Sequence, residues 1–435
     1  MNTTVLALIG ILVLLVLLLL GMDIGIAMLM VGTVGYFICA GLSGTIGMLR
    51  ATPATTASTY SFCVIPLFVM MGNFVFAAGL SDDLFDAGNK FLGRLPGGLA
   101  CAGIAACACF GAICGSTTAT AATMGVVAIP TMRKYGYSSK LATGTVSVGG
   151  TLGIMIPPST PLIIYGIMAE ESIGKLFAAG VIPGIMLAVL LMATVVILVK
   201  INPSLAPDTN QHFTAKEKLK SLKGLIWVVV IFGIVLGGIF TGIFTVNEAA
   251  AIGALVGLLI MIIRGRFTWK AFGKVMKDSI LTTAMCFIIL IGADVFGKFL
   301  TISNLVSAVA DFAASLPLSR YLILFFIALI YVILGCFMDS LPMITLTVPI
   351  FYPVITELGF DGIWFGILII LVMELGLITP PVGMNCYVIS GVIKDVPLKD
   401  VFMGSLPFIP AILIAIVLIV LFPQIATWLP SVMAG

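Results

Sequence analysis

Four short stretches of this 435-residue chain bring hydroxyls, a carboxylate or helix-breaking prolines into otherwise apolar sequence. They are Gly115-Ser116-Thr117-Thr118; Pro157-Pro158-Ser159-Thr160, with Thr151 ahead of it; Asp339-Ser340; and Thr379-Pro380-Pro381, followed by Gly383 and Asn385. Proline lacks a backbone donor and blocks the i−4 hydrogen bond, so a helix broken there frees carbonyl oxygens. Carbonyl, hydroxyl and carboxylate oxygens together make a hard-oxygen environment suited to a small cation such as Na⁺. Half-helix N-termini, with unpaired amides, suit an anionic group. On this reading Gly115, Ser116, Thr117, Pro157, Asp339, Ser340, Thr379, Pro380 and Gly383 are candidate Na⁺ ligands, in two or more sites. Asn73, Thr118, Ser159, Thr160, Asn385, Asp294 and Lys298 are candidate substrate contacts.

Each residue also has a plainer reading. Ser and Thr in apolar helices commonly bond back to the i−4 carbonyl, and a Pro-Pro pair alone is often only a kink. Asp339 differs, because a carboxylate between two apolar arms is expensive in a membrane and marks a functional position. Asp294 and Lys298 stand four apart, a spacing that predicts a local ion pair on one helix face, with substrate contact as the alternative. Glu374 also lies deep, and for it a structural hydrogen bond and an ion role stay equally open.

The elements that must position these groups occur twice. With a displacement of 223 positions, Pro130 answers to Pro353, Gly136 to Gly359, Gly153 to Gly376 and Pro157-Pro158 to Pro380-Pro381, with no gap. Glycine and proline constrain backbone shape, so what the copies share is a fold. Residues 116 and 339 fall at equivalent places. Two such halves with interrupted helices are the pattern of a secondary transporter.

The chain is 61% hydrophobic and 9% charged, and its mean hydropathy is +1.27. A soluble protein of this length has too little core to hide that much apolar surface, so the solvent is a bilayer. The first apolar run, Val5–Leu20, lacks a basic flank and a small-residue cleavage pattern and reads as a retained helix. The expected fold is an all-α polytopic membrane protein of two inverted-topology repeats, 1–210 and 211–435, joined by the polar segment Asn202–Lys223 with its basic run. Each half holds a re-entrant hairpin (about 97–132 and 320–356) and a broken span (138–170 and 362–393). The hairpin tips carry small polar residues that lipid would not tolerate, so each pair enters and leaves by one face. Each half then crosses an odd number of times, which inverts the second. Leu42–Tyr60 and Arg264–Lys277 are too polar to span and read as helices lying at the interface.

On this topology 17 of the 21 basic residues fall on one side, leaving Arg50, Lys175, Lys298 and Arg320 elsewhere, which marks that side as cytoplasmic. The basic loops are short and explained by topology, so nucleic acid is not a partner. The nine cysteines sit in apolar segments away from the only histidine, His212, and read as small packing residues.

In order and spacing, several motifs resemble the large membrane subunit of tripartite ATP-independent periplasmic (TRAP) transporters. They are Ile65-Pro66-Leu67-Phe68 with Gly72-Asn73, the tip Gly115–Thr120, Gly153–Ser159, Met338-Asp339-Ser340, and Ile378–Pro381 with Gly383 and Asn385. The resemblance covers nearly the whole chain. It implies Na⁺-driven uptake of an organic acid, a sialic acid or a C4-dicarboxylate, across a bacterial inner membrane by an elevator motion. It also implies a small four-helix membrane subunit, here a separate chain, and a periplasmic binding protein that delivers the substrate. The alternative is a standalone Na⁺/carboxylate symporter or antiporter of related architecture. No P-loop, catalytic carboxylate pair or metal set is present to support ATP hydrolysis or an enzyme. Breaks at mid-depth suit occlusion better than the continuous path of a channel.

Overall fold

The computed structural model describes residues 3–207, 213–315 and 317–433, so His212 and its neighbours in the polar linker lie outside the described residues. The described residues form helices and turns, with no strand. Among the described residues eight helical segments are long and apolar enough to cross a membrane, nine if the bent pair Ala215–Leu222 and Gly224–Phe240 counts as one span.

The helices begin and end where local chemistry dictates. Ser116, Ser159, Asp339 and Asp361 each accept a hydrogen bond from a first-turn amide and cap the helices Thr117–Lys134, Thr160–Met168, Ser340–Glu357 and Gly362–Leu377. Helix Ser139–Met155 stops just before the Pro157-Pro158 pair and Gly362–Leu377 just before Pro380-Pro381; the chain turns helical again at Thr160 and Met384. Two helix pairs therefore flank short polar tips. Gly98–Cys114 and Thr117–Lys134 meet at Gly115-Ser116, while Arg320–Gly335 and Ser340–Glu357 meet at 336–339.

The same glycine contact seats each pair on its broken helix. A Cβ on Gly111 would lie 2.6 Å from the Gly153 Cα, and one on Gly376 would lie 2.6 Å from the Gly335 Cα. In lipid, where a hydrophobic drive between helices is weak, such close backbone approach is a main source of association. Behind each contact an amide from the break reaches the tip. Thr160 N–H donates to the Gly115 carbonyl at 3.4 Å, and Val382 and Gly383 N–H both donate to the Cys336 carbonyl at 3.2 Å. Backbone groups exposed by breaking the helices are thus satisfied by the neighbouring tips.

A further set of helices packs beside these pairs. Helix Trp269–Ile302 runs unbroken for 34 residues. Of the stretch Arg264–Lys277 read as an interface helix, the residues from Trp269 onward form its first part, with Lys270, Lys274 and Lys277 exposed and the helix continuing through Gly273. Gly25, Gly32 and Gly35 of the segment beginning at Ile24 let its backbone press on Ile288, Phe296 and Phe299. At Gly41 (φ 71°, ψ −178°) the chain leaves helical geometry, a conformation that favours glycine, and reverses. The contacts then run backwards along the long helix: Lys298 Nζ donates to Thr52 Oγ1 and Thr56 Oγ1 donates to Asp294 Oδ2, both at 2.7 Å. Residues 42–58 thus pack on this helix through buried Thr45, Thr52 and Thr56. The threonines that made the segment look interfacial are its contact face.

Four ion pairs occur among the described residues. Lys90 meets Asp86 at 2.5 Å, Arg264 meets Asp83 at 2.6 Å, Arg133 meets Asp395 at 2.7 Å and Lys140 meets Asp400 at 3.2 Å. The last two tie the base of the first helix pair to a turn of the second half, and the start of helix Ser139–Met155 to the first turn of helix Leu398–Ser405. The Arg133 guanidinium, hydrogen-bonded to Asp395 outside the spans, holds that carboxyl below the usual range.

The glycine crossing gives a direct prediction. Gly376→Leu forces the second pair off its broken helix and lowers stability by about 1–3 kcal/mol. A clearly reduced melting temperature of the purified protein in detergent checks it.

Candidate functional site between the two helix-pair tips

The two tips meet. Thr117 Oγ1 donates to Asp339 Oδ1 at 3.5 Å, the long end of the hydrogen-bond range. Ser340 reinforces the same oxygen, through its amide at 2.7 Å and its hydroxyl at 3.2 Å. All three bonds fall on Oδ1. Beside this contact lies a cavity of about 240 Å³, and Asp339 lines it.

Four further elements complete the wall. The first tip contributes Gly115, Ser116, Thr118 and Ala119; the first break contributes Thr160 and Pro161. Asn73 comes from helix Val64–Ala77, and Thr282, Met285 and Cys286 come from the long helix. Asn73 Nδ2 also donates to Ser279 Oγ at 2.9 Å, fastening these two helices just behind the cavity. Ser116 and Thr118 hydroxyls lie 3.2 Å apart. A Cβ on Gly115, whose φ is +64°, would press on Pro158 O and Thr160 Oγ1, so only glycine lets tip and break approach this closely.

The electrostatics follow from helix directions. Three helices, Thr117–Lys134, Thr160–Met168 and Ser340–Glu357, present their first turns to this one cavity. Each N-terminus carries roughly half a positive charge from its unpaired amides, which together favour an anion. One carboxylate, Asp339, stands among them, and no Lys or Arg lines the wall. Hard oxygens and amide donors therefore share the space, the donor set for a carboxylic acid accompanied by a small cation.

The remaining candidates separate. Ser159 is fully buried, donates to the Ile154 carbonyl at 2.5 Å and caps its own helix. Pro157 is buried in the first break. Thr379 bonds back to the Leu375 carbonyl at 2.5 Å, beside exposed Pro380 and the left-handed Gly383, in the second break. Asn385 Nδ2 donates to the Ser147 carbonyl at 3.1 Å, between helices of opposite halves. Asp294 and Lys298 form no ion pair with each other. Each is instead engaged by a threonine of the reversed segment, away from the cavity wall. The local spacing was satisfied by a neighbouring helix, which offered both a donor and an acceptor.

Thr282, Met285 and Cys286 were not singled out from the sequence. Their i, i+3, i+4 spacing puts them on one helix face, but nothing local tells that face from the others. A second groove of about 240 Å³, along Leu6, Gly10, Val31, Gly35 and Phe299, is apolar throughout and has no group to orient a polar solute.

A polytopic helical membrane protein whose polar groups converge on a cavity between helix tips, with no catalytic constellation there, has the construction of a carrier. The chain belongs to the family described as "Tripartite ATP-independent periplasmic transporter, DctM component", whose profile matches residues 11–425. It is 34% identical over 402 residues to the C4-dicarboxylate TRAP transporter large permease protein DctM of Pseudomonas aeruginosa, covering 90% of this chain and 93% of the relative. It is 32% identical over 377 residues to the sialic acid TRAP transporter large permease protein SiaM of Vibrio cholerae, covering 86% and 87%. In fold it is similar to the solved structure of Neisseria gonorrhoeae MtrF, with a TM-score of 0.62, 15% identity and coverage of 98% and 95%. The chain is thus a permease component of a transporter, not an enzyme.

If the cavity is the transport site, blocking it from the long helix stops uptake without unfolding the protein. Thr282→Trp lowers the initial uptake rate by about tenfold or more, as a misplaced reacting or binding group commonly does, while the melting temperature changes little. Radiolabelled uptake in proteoliposomes, set beside a melting curve, checks it.

Proposed function

We propose that this chain is the membrane-embedded carrier of a Na⁺-coupled system that takes up an organic acid across a bacterial inner membrane. It is built as two inverted repeats, 1–210 and 211–435. The two helix pairs act as re-entrant hairpins that open to opposite faces. Hairpins and broken helices travel as one body, in an elevator motion, against the frame made by Ile24–Ser58 and Trp269–Ile302. The observation that carries this reading is the convergence of three helix N-termini and one carboxylate on a cavity built by both halves.

The chemistry follows from that arrangement. The helix N-termini Thr117, Thr160 and Ser340 favour the substrate carboxylate, and Asn73, Thr118, Thr160 and Thr282 offer neutral hydrogen bonds to its other groups. Na⁺, carried as a co-substrate, takes oxygens of Gly115, Ser116, Thr117 and Pro157 in the first half. In the second half it takes oxygens of Asp339, Ser340, Thr379, Pro380 and Gly383. The cations offset the Asp339 charge, which alone would repel an acid. Moving one charge through 100 mV is worth about 2.3 kcal/mol, and a tenfold gradient adds about 1.4 kcal/mol. Two or more Na⁺ per monovalent acid therefore drive uphill uptake without ATP.

Relatives named for a C4-dicarboxylate and for sialic acid support an organic-acid cargo. Between them a hydroxyl-rich monoacid of the sialic acid type suits the wall better, because the wall offers amide and hydroxyl groups and no cationic side chain for a second carboxylate. A small four-helix membrane subunit and a periplasmic binding protein complete the system.

Uptake into proteoliposomes holding this chain with its small subunit and binding protein requires a Na⁺ gradient. Asp339→Ala and Ser116→Ala each raise the Na⁺ concentration for half-maximal uptake by about tenfold or more, the usual scale for damage to a metal site. Unchanged Na⁺ dependence in both variants removes the cation sites. Robust uptake by this chain alone refutes the tripartite assembly.

A further inference from the structure

Among the described residues Glu374 is the one carboxylate with no exposure at all, and the cavity does not include it. It sits on helix Gly362–Leu377, of which every residue but the half-buried Ile363 is buried, and reaches Thr151 on helix Ser139–Met155. Residues 151 and 374 occupy equivalent places, 223 apart, so the two broken helices touch each other through equivalent positions of the two copies.

The local hydrogen count decides the chemical state of this contact. Thr151 Oγ1 lies 2.8 Å from the Val148 carbonyl and 3.2 Å from Glu374 Oε2. A hydroxyl has one hydrogen. The shorter contact is the ordinary back-bond of a helical threonine and takes it. The Thr151 oxygen then has only lone pairs to offer Glu374, and the contact is a hydrogen bond only if Glu374 supplies the proton. The other carboxyl oxygen, Oε1, is buried and has no hydrogen-bond partner.

The surroundings offer no counter-charge. Helices packed against Gly362–Leu377 carry charged groups only at or just beyond their ends: Lys140 on Ser139–Met155, Glu170 and Glu171 after Thr160–Met168, and Lys175 and Lys200 on Ile173–Ile201. The same holds for Arg320 on Arg320–Gly335, Asp339 and Glu357 bounding Ser340–Glu357, and Lys394 and Asp395 after Met384–Val392. Helices Ile409–Leu421 and Gln424–Met433 carry none, and Asp361 caps the Glu374 helix at its far end. None of these forms an ion pair with Glu374. A fully buried, unpaired carboxylate is among the costliest arrangements in a protein, whereas the neutral acid needs only one acceptor.

We propose that Glu374 is a resident proton-binding site, a neutral carboxylic acid whose O–H donates to Thr151 Oγ1 and ties the two broken helices together. The proton stays with the protein, distinct from the transported cation. The bond gives the two broken helices a polar, directional link to each other, whereas the glycine crossings pack each of them on its own helix pair.

Infrared spectroscopy of the whole reconstituted protein tests this without using transport, so its outcome is independent of the Na⁺ sites proposed above. At neutral pH the C=O stretching band of a protonated carboxylic acid is present in the wild type and is diminished in Glu374→Gln. Glu374→Gln folds, because its amide N–H also donates to Thr151. Should that variant not fold, Thr151→Val removes the acceptor and must shift the same band. A band that is untouched by both substitutions overturns the proposal. A rise of about tenfold or more in the Na⁺ concentration needed by Glu374→Gln overturns it too, since that marks an ionised metal ligand.

Discussion

The structure depends on satisfying oxygens and amides where lipid cannot. Breaking a helix inside an apolar body leaves carbonyls and N–H groups that water would otherwise serve, each costing several kcal/mol if unpaired. Here the partners are the polar tips of the adjoining helix pairs. The Gly115 carbonyl receives the Thr160 amide, and the Cys336 carbonyl receives two amides from 382–383. Bringing tip and break within hydrogen-bond reach presses their backbones together, and glycine, with no Cβ, permits this at the crossings 111/153 and 335/376 and at the tip position 115. Small residues in the packing and polar residues at the tips are therefore two sides of one requirement.

The same requirement produces the electrostatic character of the cavity. A helix that restarts after a break has unpaired amides at its new N-terminus, and three such starts face one space. Ser116 and Asp339 serve as N-caps, and in that role they also face the cavity. Capping and ligand binding draw on the same oxygen atoms, so a solute or ion arriving there competes with bonds that hold the tips. For Asp339 the three protein bonds all use Oδ1, which leaves its second oxygen without a protein partner. That asymmetry lets one carboxylate fix the tip-to-tip contact and still take part in binding.

Outside this core the frame uses polar groups differently. The reversal at Gly41 lets a threonine-lined segment fold back on the long helix, where Thr52 engages Lys298 and Thr56 engages Asp294. Thr52 accepts from Lys298 and gives its own hydrogen to the Met48 carbonyl, whereas Thr56 directs its one hydrogen to Asp294, at 2.7 Å against 2.8 Å for the Thr52 carbonyl. Two charged groups are thereby held by neutral hydroxyls. Hydrogen bonds to charged groups are worth about 1.5–3 kcal/mol, enough to compete with a pair exposed along one helix face, which is worth only a few tenths.

Much of this was legible in the residues themselves. Mean hydropathy determined the solvent, and the Pro-Pro pairs determined where helices stop, because proline acts on its own backbone and the turn before it. The types of atom at the tips were equally plain, since a hydroxyl or carboxylate in apolar sequence has few uses. Tertiary structure alone decided which of those atoms share a space. It brought Thr282 and Cys286 to the cavity, held Asp294 and Lys298 away from it, packed residues 42–58 on the long helix, and set Glu374 against Thr151. Those outcomes rest on the register between helices far apart in the chain. That register is set by glycine crossings and side-chain packing across elements, which no local spacing encodes.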